Sequence, residues 1–244
     1  MSANSSFVVS LDTDKTFNDE RFARAFLFAW LNHPLEAVRP ERWSRGEPVR
    51  RPIVSVEFDL LVAEWCKAAL MFKRVSRPRM TVSLNWRRNR GLDPRPYPWG
   101  LTAWLDSGGS AVPKAFLELA VAHFQPAFAS VTKEEDSRRK HFTRRPHNVG
   151  GRQIGVAEEF RGHHVLKTLP GIYWLTYLGP PAIEQLGEKA LCSLPTGRLE
   201  RFGQGYLLTA YDDPSLIGSE GARVIESEII EWLGKDRFFD IQRE

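Results

Sequence analysis

The six histidines, His33, His123, His141, His147, His163 and His164, are the first residues to test for chemistry. A zinc centre asks for ligands three or four apart on a helix face, or for a cysteine pair close by. His163 and His164 are adjacent and point apart, His141 and His147 fall in a polar stretch, and His123 sits on a packing helix face. Metal-dependent nucleases of the restriction type need an Asp and a Glu-x-Lys strand converging on Mg²⁺. No Glu-x-Lys occurs in this chain, and Glu57 and Asp59 read as a solvated pair at a strand edge. A serine nucleophile would announce itself with Gly-x-Ser-x-Gly, which is absent, and Cys66 lies packed between Trp65 and Lys67. Ser107-Gly-Gly-Ser110 and Gly150-Gly151-Arg152 lack the Lys-Ser or Lys-Thr of a phosphate loop. The expectation is a chain with no catalytic residues, no metal and no cofactor.

Two charged stretches remain. Lys73 to Arg95 carries eight basic side chains against Asp93 alone, interleaved with Trp86, Tyr97 and Trp99. Arginine with aromatics suits single-stranded nucleic acid, but the same composition also makes a solvated loop. Residues 170–244 hold 12 acidic and 7 basic side chains, a balance of −5, which leaves +9 for the rest of a chain whose total is +4. The acids gather at Asp212, Asp213, Glu220, Glu226, Glu228 and Glu231. An acidic helix face is ordinarily only solvated; its functional version is a decoy for a basic, nucleic-acid-binding groove.

The elements that must hold these residues alternate irregularly. Phe17–Trp30 is amphipathic, with Phe22, Phe26, Ala29 and Trp30 on one face. Residues 53–72 are apolar with helical spacing in their second half. Arg79–Trp86 alternates as a strand and pairs with Leu101–Leu105 as a hairpin; Pro113–Gln125 is a helix. Thr132–Gly155 is the most polar stretch and reads as a charged helix with a loop. It is where an internal boundary would fall, if the 244 residues are not one domain. Then follow a strand at 171–178, a helix at 181–191, a hairpin at 198–211 around Gly203 and Gly205, and a helix at 219–233. On that last helix Ile225, Ile229 and Trp232 are expected to bury.

Hairpins and single helices without regular βαβ alternation predict an α+β fold, a mixed or antiparallel sheet with packed helices. The pattern of hairpin followed by helix recurs in both halves (80–125 and 198–233). The apolar share of 42% is ordinary for a globular protein. Two cysteines, Cys66 and Cys192, predict reduced core thiols. The first ten residues lack the basic start and apolar core of a signal peptide, and no apolar run reaches the roughly 20 residues of a membrane span. A cytoplasmic chain with no membrane partner is expected.

The block Pro170-Gly-Ile-Tyr-Trp-Leu-Thr-Tyr-Leu-Gly-Pro-Pro-Ala-Ile-Glu-Gln-Leu-Gly187, then Leu207-Leu208-Thr209, Asp213-Pro214 and a closing helix ending Gly234-Lys-Asp-Arg-Phe-Phe-Asp240, resembles the immunity protein 52 family. It is similar, more distantly, to type VI secretion immunity proteins that share a Trp-Leu-x-x-Leu-Gly signature, here Trp174 to Gly179. The match covers residues 169–240. The resemblance implies an α+β cytoplasmic antidote that binds a cognate toxin, often a nuclease of the restriction-endonuclease fold, and blocks its active site or DNA groove. Trp174 and Gly179 would shape the fold and leave the contact to other residues. Mimicry of DNA calls for an acidic face, which in a chain of pI near 9.2 the C-terminal third supplies; the other routes are a toxin not blocked by charge mimicry, or an acidic toxin surface that meets the +9 portion. On the acidic-lobe reading the expected toxin-binding residues are Asp212, Asp213, Glu220, Glu228 and Glu231, with Tyr211 as aromatic anchor. The alternative is a nucleic-acid-binding accessory protein that uses 73–99.

Overall fold

The computed structural model describes residues 6–13, 15–85, 99–106, 109–149, 152–160 and 168–239. Its centre is a ten-stranded antiparallel sheet, and the fold is α+β. The strands of the first half are β1 (Phe7–Thr13), β2 (Arg42–Ser44), β3 (Arg51–Pro52), β4 (Met71–Arg74), β5 (Met80–Asn85), β6 (Trp99–Leu105) and β7 (Phe128–Lys133). A separate hairpin, β8 (Phe142–Val149) and β9 (Arg152–Phe160), interrupts the run before β10 (Leu175–Leu178), β11 (Arg198–Phe202) and β12 (Gly205–Thr209). Across the large sheet the order is β11-β12-β10-β7-β1-β6-β5-β4-β2-β3. Strands from before and after the polar stretch thus lie side by side, β10 against β7.

Three helices cover one face: α1 (Glu20–Leu31), α2 (Phe58–Lys67) and α3 (Ala111–Phe124). Alternation decides which strand residues meet them. Phe7, Val9 and Leu11 of β1, with Leu101, Ala103 and Leu105 of β6, join the apolar core, while their neighbours turn to the opposite face. Aromatic rings fill the centre. Phe26 lies 4.8 Å from Phe124 and 5.7 Å from Trp65, and Trp30 lies 4.9 Å from Phe72. The Trp30 and Trp65 indoles donate to the carbonyls of Val38 (2.8 Å) and Phe17 (2.7 Å), so their polar edges cost nothing when buried. Asp19 starts α1 by accepting from the Phe22 amide at 2.9 Å.

Several expected elements change shape. The apolar stretch 53–72 is α2 followed by β4, so Phe72 packs from a strand. Arg74, counted in the basic run, turns inward beside Glu36 (3.4 Å) and Glu41 (3.3 Å) and is nearly buried. Positions 86–98 of that run, with Trp86 and Tyr97, lie outside the described residues. The charged stretch 134–141 is a helix, α4 (Glu134–His141), but the expected loop after it is the β8–β9 hairpin. The expected helix at 181–191 is two, α5 (Pro180–Leu186) and α6 (Glu188–Cys192), because Gly187 takes φ +84° between them. Helix α7 (Glu220–Leu233) starts where Ser219 accepts from the Ala222 amide. Both cysteines are free thiols as expected, but Cys192 is exposed and no core residue.

Candidate functional site

The second face of the sheet carries the chemistry. Antiparallel register sets Ser83 opposite Thr102, Thr102 opposite Ser10, Ser10 opposite Ser130, and Ser130 opposite Thr176. One hydroxyl residue from each of five adjacent strands therefore stands at the same level. Thr176, at the buried end, spends its hydroxyl oxygen on the amide of Tyr173 at 2.9 Å. Over the middle of the row opens a cavity of about 430 Å³. Ser10, Thr102 and Ser130 form its floor, and Ser137, Arg138 and His141 of α4 form one wall. Trp104, Phe128 and Tyr173 supply aromatic surface, and Asp12 and Glu134 supply carboxylates.

Behind the α4 wall lies a buried ionic cluster. The Lys140 ammonium donates to Asp136 Oδ2 (2.9 Å), Glu226 Oε2 (2.8 Å) and the Ile172 carbonyl (2.8 Å), which uses all three of its protons. It also lies 4.2 Å from the centre of the Tyr173 ring. Asp136 accepts further bonds from Thr132 Oγ1 (2.8 Å) and Arg139 (2.6 Å); Tyr211 donates to Glu226 at 3.2 Å. His141 Nε2 sits 2.6 Å from the Tyr173 hydroxyl. The cluster thus joins α4, α7 and the segment before β10.

One lysine shared by two carboxylates splits their acidities. Burial works against both charges. At Asp136 the combined pull of Lys140, Arg139 and Thr132 overcomes it and holds the carboxyl below the usual range. At Glu226 burial prevails over Lys140, and the carboxyl is pushed up. Tyr211 is raised as well, by burial and by the Glu226 charge. The two carboxylates then drive stability in opposite directions. The folded form of Asp136 binds its proton less readily than the unfolded one, so its contribution is present above the unfolded value of about 3.9 and is lost on acidification. Glu226 is the reverse, with a contribution present below about 4.3 that is lost as pH rises through its raised folded value. Thermal unfolding followed from pH 3 to 8 should therefore show a gain for the wild type just above pH 4 that fades towards neutrality. In Glu226→Gln the fading disappears and the acid limb remains; an unchanged profile would remove Glu226 from this account.

The expected toxin-binding residues lie beyond α4, around α7. Tyr211 is corrected: it is 7% exposed, with its hydroxyl spent on Glu226, and offers no surface anchor. Asp212, Asp213, Glu220, Glu228 and Glu231 are all exposed. Asp213 is partly committed, since it accepts from the Ser215 amide and hydroxyl (2.8 and 2.6 Å), and Glu231 pairs with Lys235 at 2.6 Å. The expected apolar stripe on α7 also shifts. Ala222, Glu226, Ile229 and Leu233 bury, Ile225 is only half-buried, and Trp232 stays 51% exposed while its indole donates to the Ala190 carbonyl. Glu226 can occupy a core register because Lys140 meets it there. On the outward side Val224, Glu228 and Trp232 follow one another at i, i+4 and i+8.

Sequence reasoning missed the α4–α7 cluster. The Asp136–Lys140 spacing of four is plain in the sequence, but a pair at that spacing on a charged helix is ordinarily solvated and does not mark a buried cluster. Among the described residues no group of three or more His, Cys, Asp or Glu could hold a metal ion. No described helix is long and apolar enough to cross a membrane.

Comparison with known proteins places the architecture. A solved structure, the Pseudomonas aeruginosa T6SS protein PA0821, superposes over 96% of this chain and 73% of its own, with a TM-score of 0.58 and 12% identity. The likeness is to a type VI secretion protein. At that identity it is a likeness of fold. No family model matches the chain, the immunity protein 52 family included, and no curated protein matches it.

Proposed function

We propose that this chain is a non-enzymatic immunity protein that binds and neutralises a cognate type VI secretion effector, a nuclease, by occluding its active site or substrate groove. The observation that carries this reading is the fold shared with a type VI secretion protein over nearly the whole chain. The block that resembles the immunity protein 52 family supports it. Trp174 is 4% exposed and Gly179 is wedged against the Pro126–Ala127 backbone that leads into β7, the places that fold-defining residues should take.

The contact surface is the outward side of α7 with the turn before it. Val224 and Trp232 provide exposed apolar area; Glu220, Glu228 and Glu231 are exposed on the same helix, and Asp212 and Asp213 in the turn before it. An exposed apolar anchor on a helix rich in outward acids suits a partner whose substrate groove is basic. Trp232 takes the anchoring role expected of Tyr211.

The test is a tagged pull-down from the native host at about 0.3 M salt with nuclease treatment, conditions under which phosphate-driven binding fades. One stoichiometric effector retained on the protein is the expected result; nucleic acid alone, lost at high salt, would overturn the reading. With the partner in hand, Glu228→Lys with Glu231→Lys should weaken the complex by about tenfold or more. Trp232→Ala should weaken it about 30-fold. Unchanged affinity in both would remove α7 from the interface.

A further inference from the structure

We infer that the cavity over the second face of the sheet is a binding site for a neutral saccharide, an activity separate from effector binding. Its volume of about 430 Å³ lies in the range of small-molecule sites, roughly 300–1,000 Å³. The floor is the decisive feature. Ser10, Thr102 and Ser130 stand at one level on three neighbouring strands, a spacing of about 4.8 Å set by the sheet. That interval matches alternate equatorial hydroxyls of a pyranose ring. Each protein hydroxyl can donate and accept, as each sugar hydroxyl can.

The walls fit the same class. Trp104 lines the cavity and is 37% exposed, which leaves ring surface for the C–H face of a sugar. Asp12 and Glu134 are strong acceptors for hydroxyl protons, and Arg138, whose Nε lies 3.6 Å from Glu134, adds a donor. Two carboxylates against one guanidinium disfavour phosphates and nucleotides. Short side chains on the floor leave depth for a ring; the long charged side chains usual on a solvated sheet face would fill it.

The experiment titrates the full chain with maltotriose and N,N′-diacetylchitobiose, and with inorganic phosphate and AMP as anionic probes. Calorimetry and saturation-transfer NMR give the readouts. Saturable binding of at least one sugar is expected, with Kd about 1 mM or tighter. Trp104→Ala and the near-isosteric Thr102→Val should each weaken it at least about tenfold, while Glu228→Lys on α7 leaves it unchanged. Thr102→Val keeps the test valid if Trp104→Ala fails to fold. No saturable sugar binding up to about 10 mM, tighter binding of an anion, or binding indifferent to Thr102→Val would overturn the inference.

Discussion

Replacing Lys140 with methionine should cost the fold about 3–5 kcal/mol, the range for breaking a buried ion pair from one side. The lysine is 15% exposed, and the carboxylates it bridges, Asp136 and Glu226, are 1% and 6% exposed. Removal of the ammonium strands them unequally. Asp136 keeps Arg139 at 2.6 Å and Thr132 at 2.8 Å, whereas Glu226 keeps only the Tyr211 hydroxyl among the partners described above. The damage therefore concentrates on Glu226, which also explains why a second substitution should repair it. Lys140→Met with Glu226→Gln should be more stable than Lys140→Met alone, since it leaves no unpaired buried charge at that position. Urea unfolding of the single and double variants measures the cycle. A loss below about 1 kcal/mol for Lys140→Met would mean the cluster is solvated, as ordinary surface pairs are.

The second large effect lies in the block that resembles immunity proteins. A Cβ on Gly179 would sit 2.0 Å from the Pro126 carbonyl oxygen and 3.1 Å from that of Ala127. Both are backbone atoms at the entry to β7, and the Gly179 amide itself donates to the Ala127 carbonyl at 3.0 Å. Relief requires β7 or the start of α5 to move. Gly179→Ala should accordingly cost about 3 kcal/mol or more, the upper range for overpacking. Gly46 is the control, because nothing lies within 4 Å of its added Cβ; Gly46→Ala should stay within about 0.5 kcal/mol. Equal denaturation midpoints for the two variants would show that the close approach at Gly179 relaxes without cost.

The reading of Trp174–Gly179 as fold-forming follows from composition, since the segment is aromatic and aliphatic with no charged residue, and the structure buries all of it. Helices α1, α3 and α7 were legible for a related reason. Each announces an apolar stripe, and α1 and α7 begin at an Asp or Ser that caps the first turn. Trp232 shows the limit of such reasoning. By periodicity it belonged to the buried stripe, but α7 is rotated so that Glu226 packs inward against Lys140, a residue from a distant part of the chain. Periodicity ranks faces by apolarity and cannot know that a buried cation awaits a carboxylate.

By itself, then, the sequence determined which stretches alternate, which carry a helical apolar stripe, and that the fold class is α+β, because these depend on interactions within a few residues. Ser10, Ser83, Thr102, Ser130 and Thr176 are plain in the sequence, each beside apolar residues, but nothing in residue order relates one to another. Only the tertiary structure decided that Ser83, Thr102, Ser10, Ser130 and Thr176 share one level, since a slip of one residue in any strand would have sent its hydroxyl to the core face. The same holds for Lys140. Its partners Asp136 and Glu226 meet there because α4 and α7 are packed together, and the interaction between charges depends on distance and burial, neither of which is written in residue order.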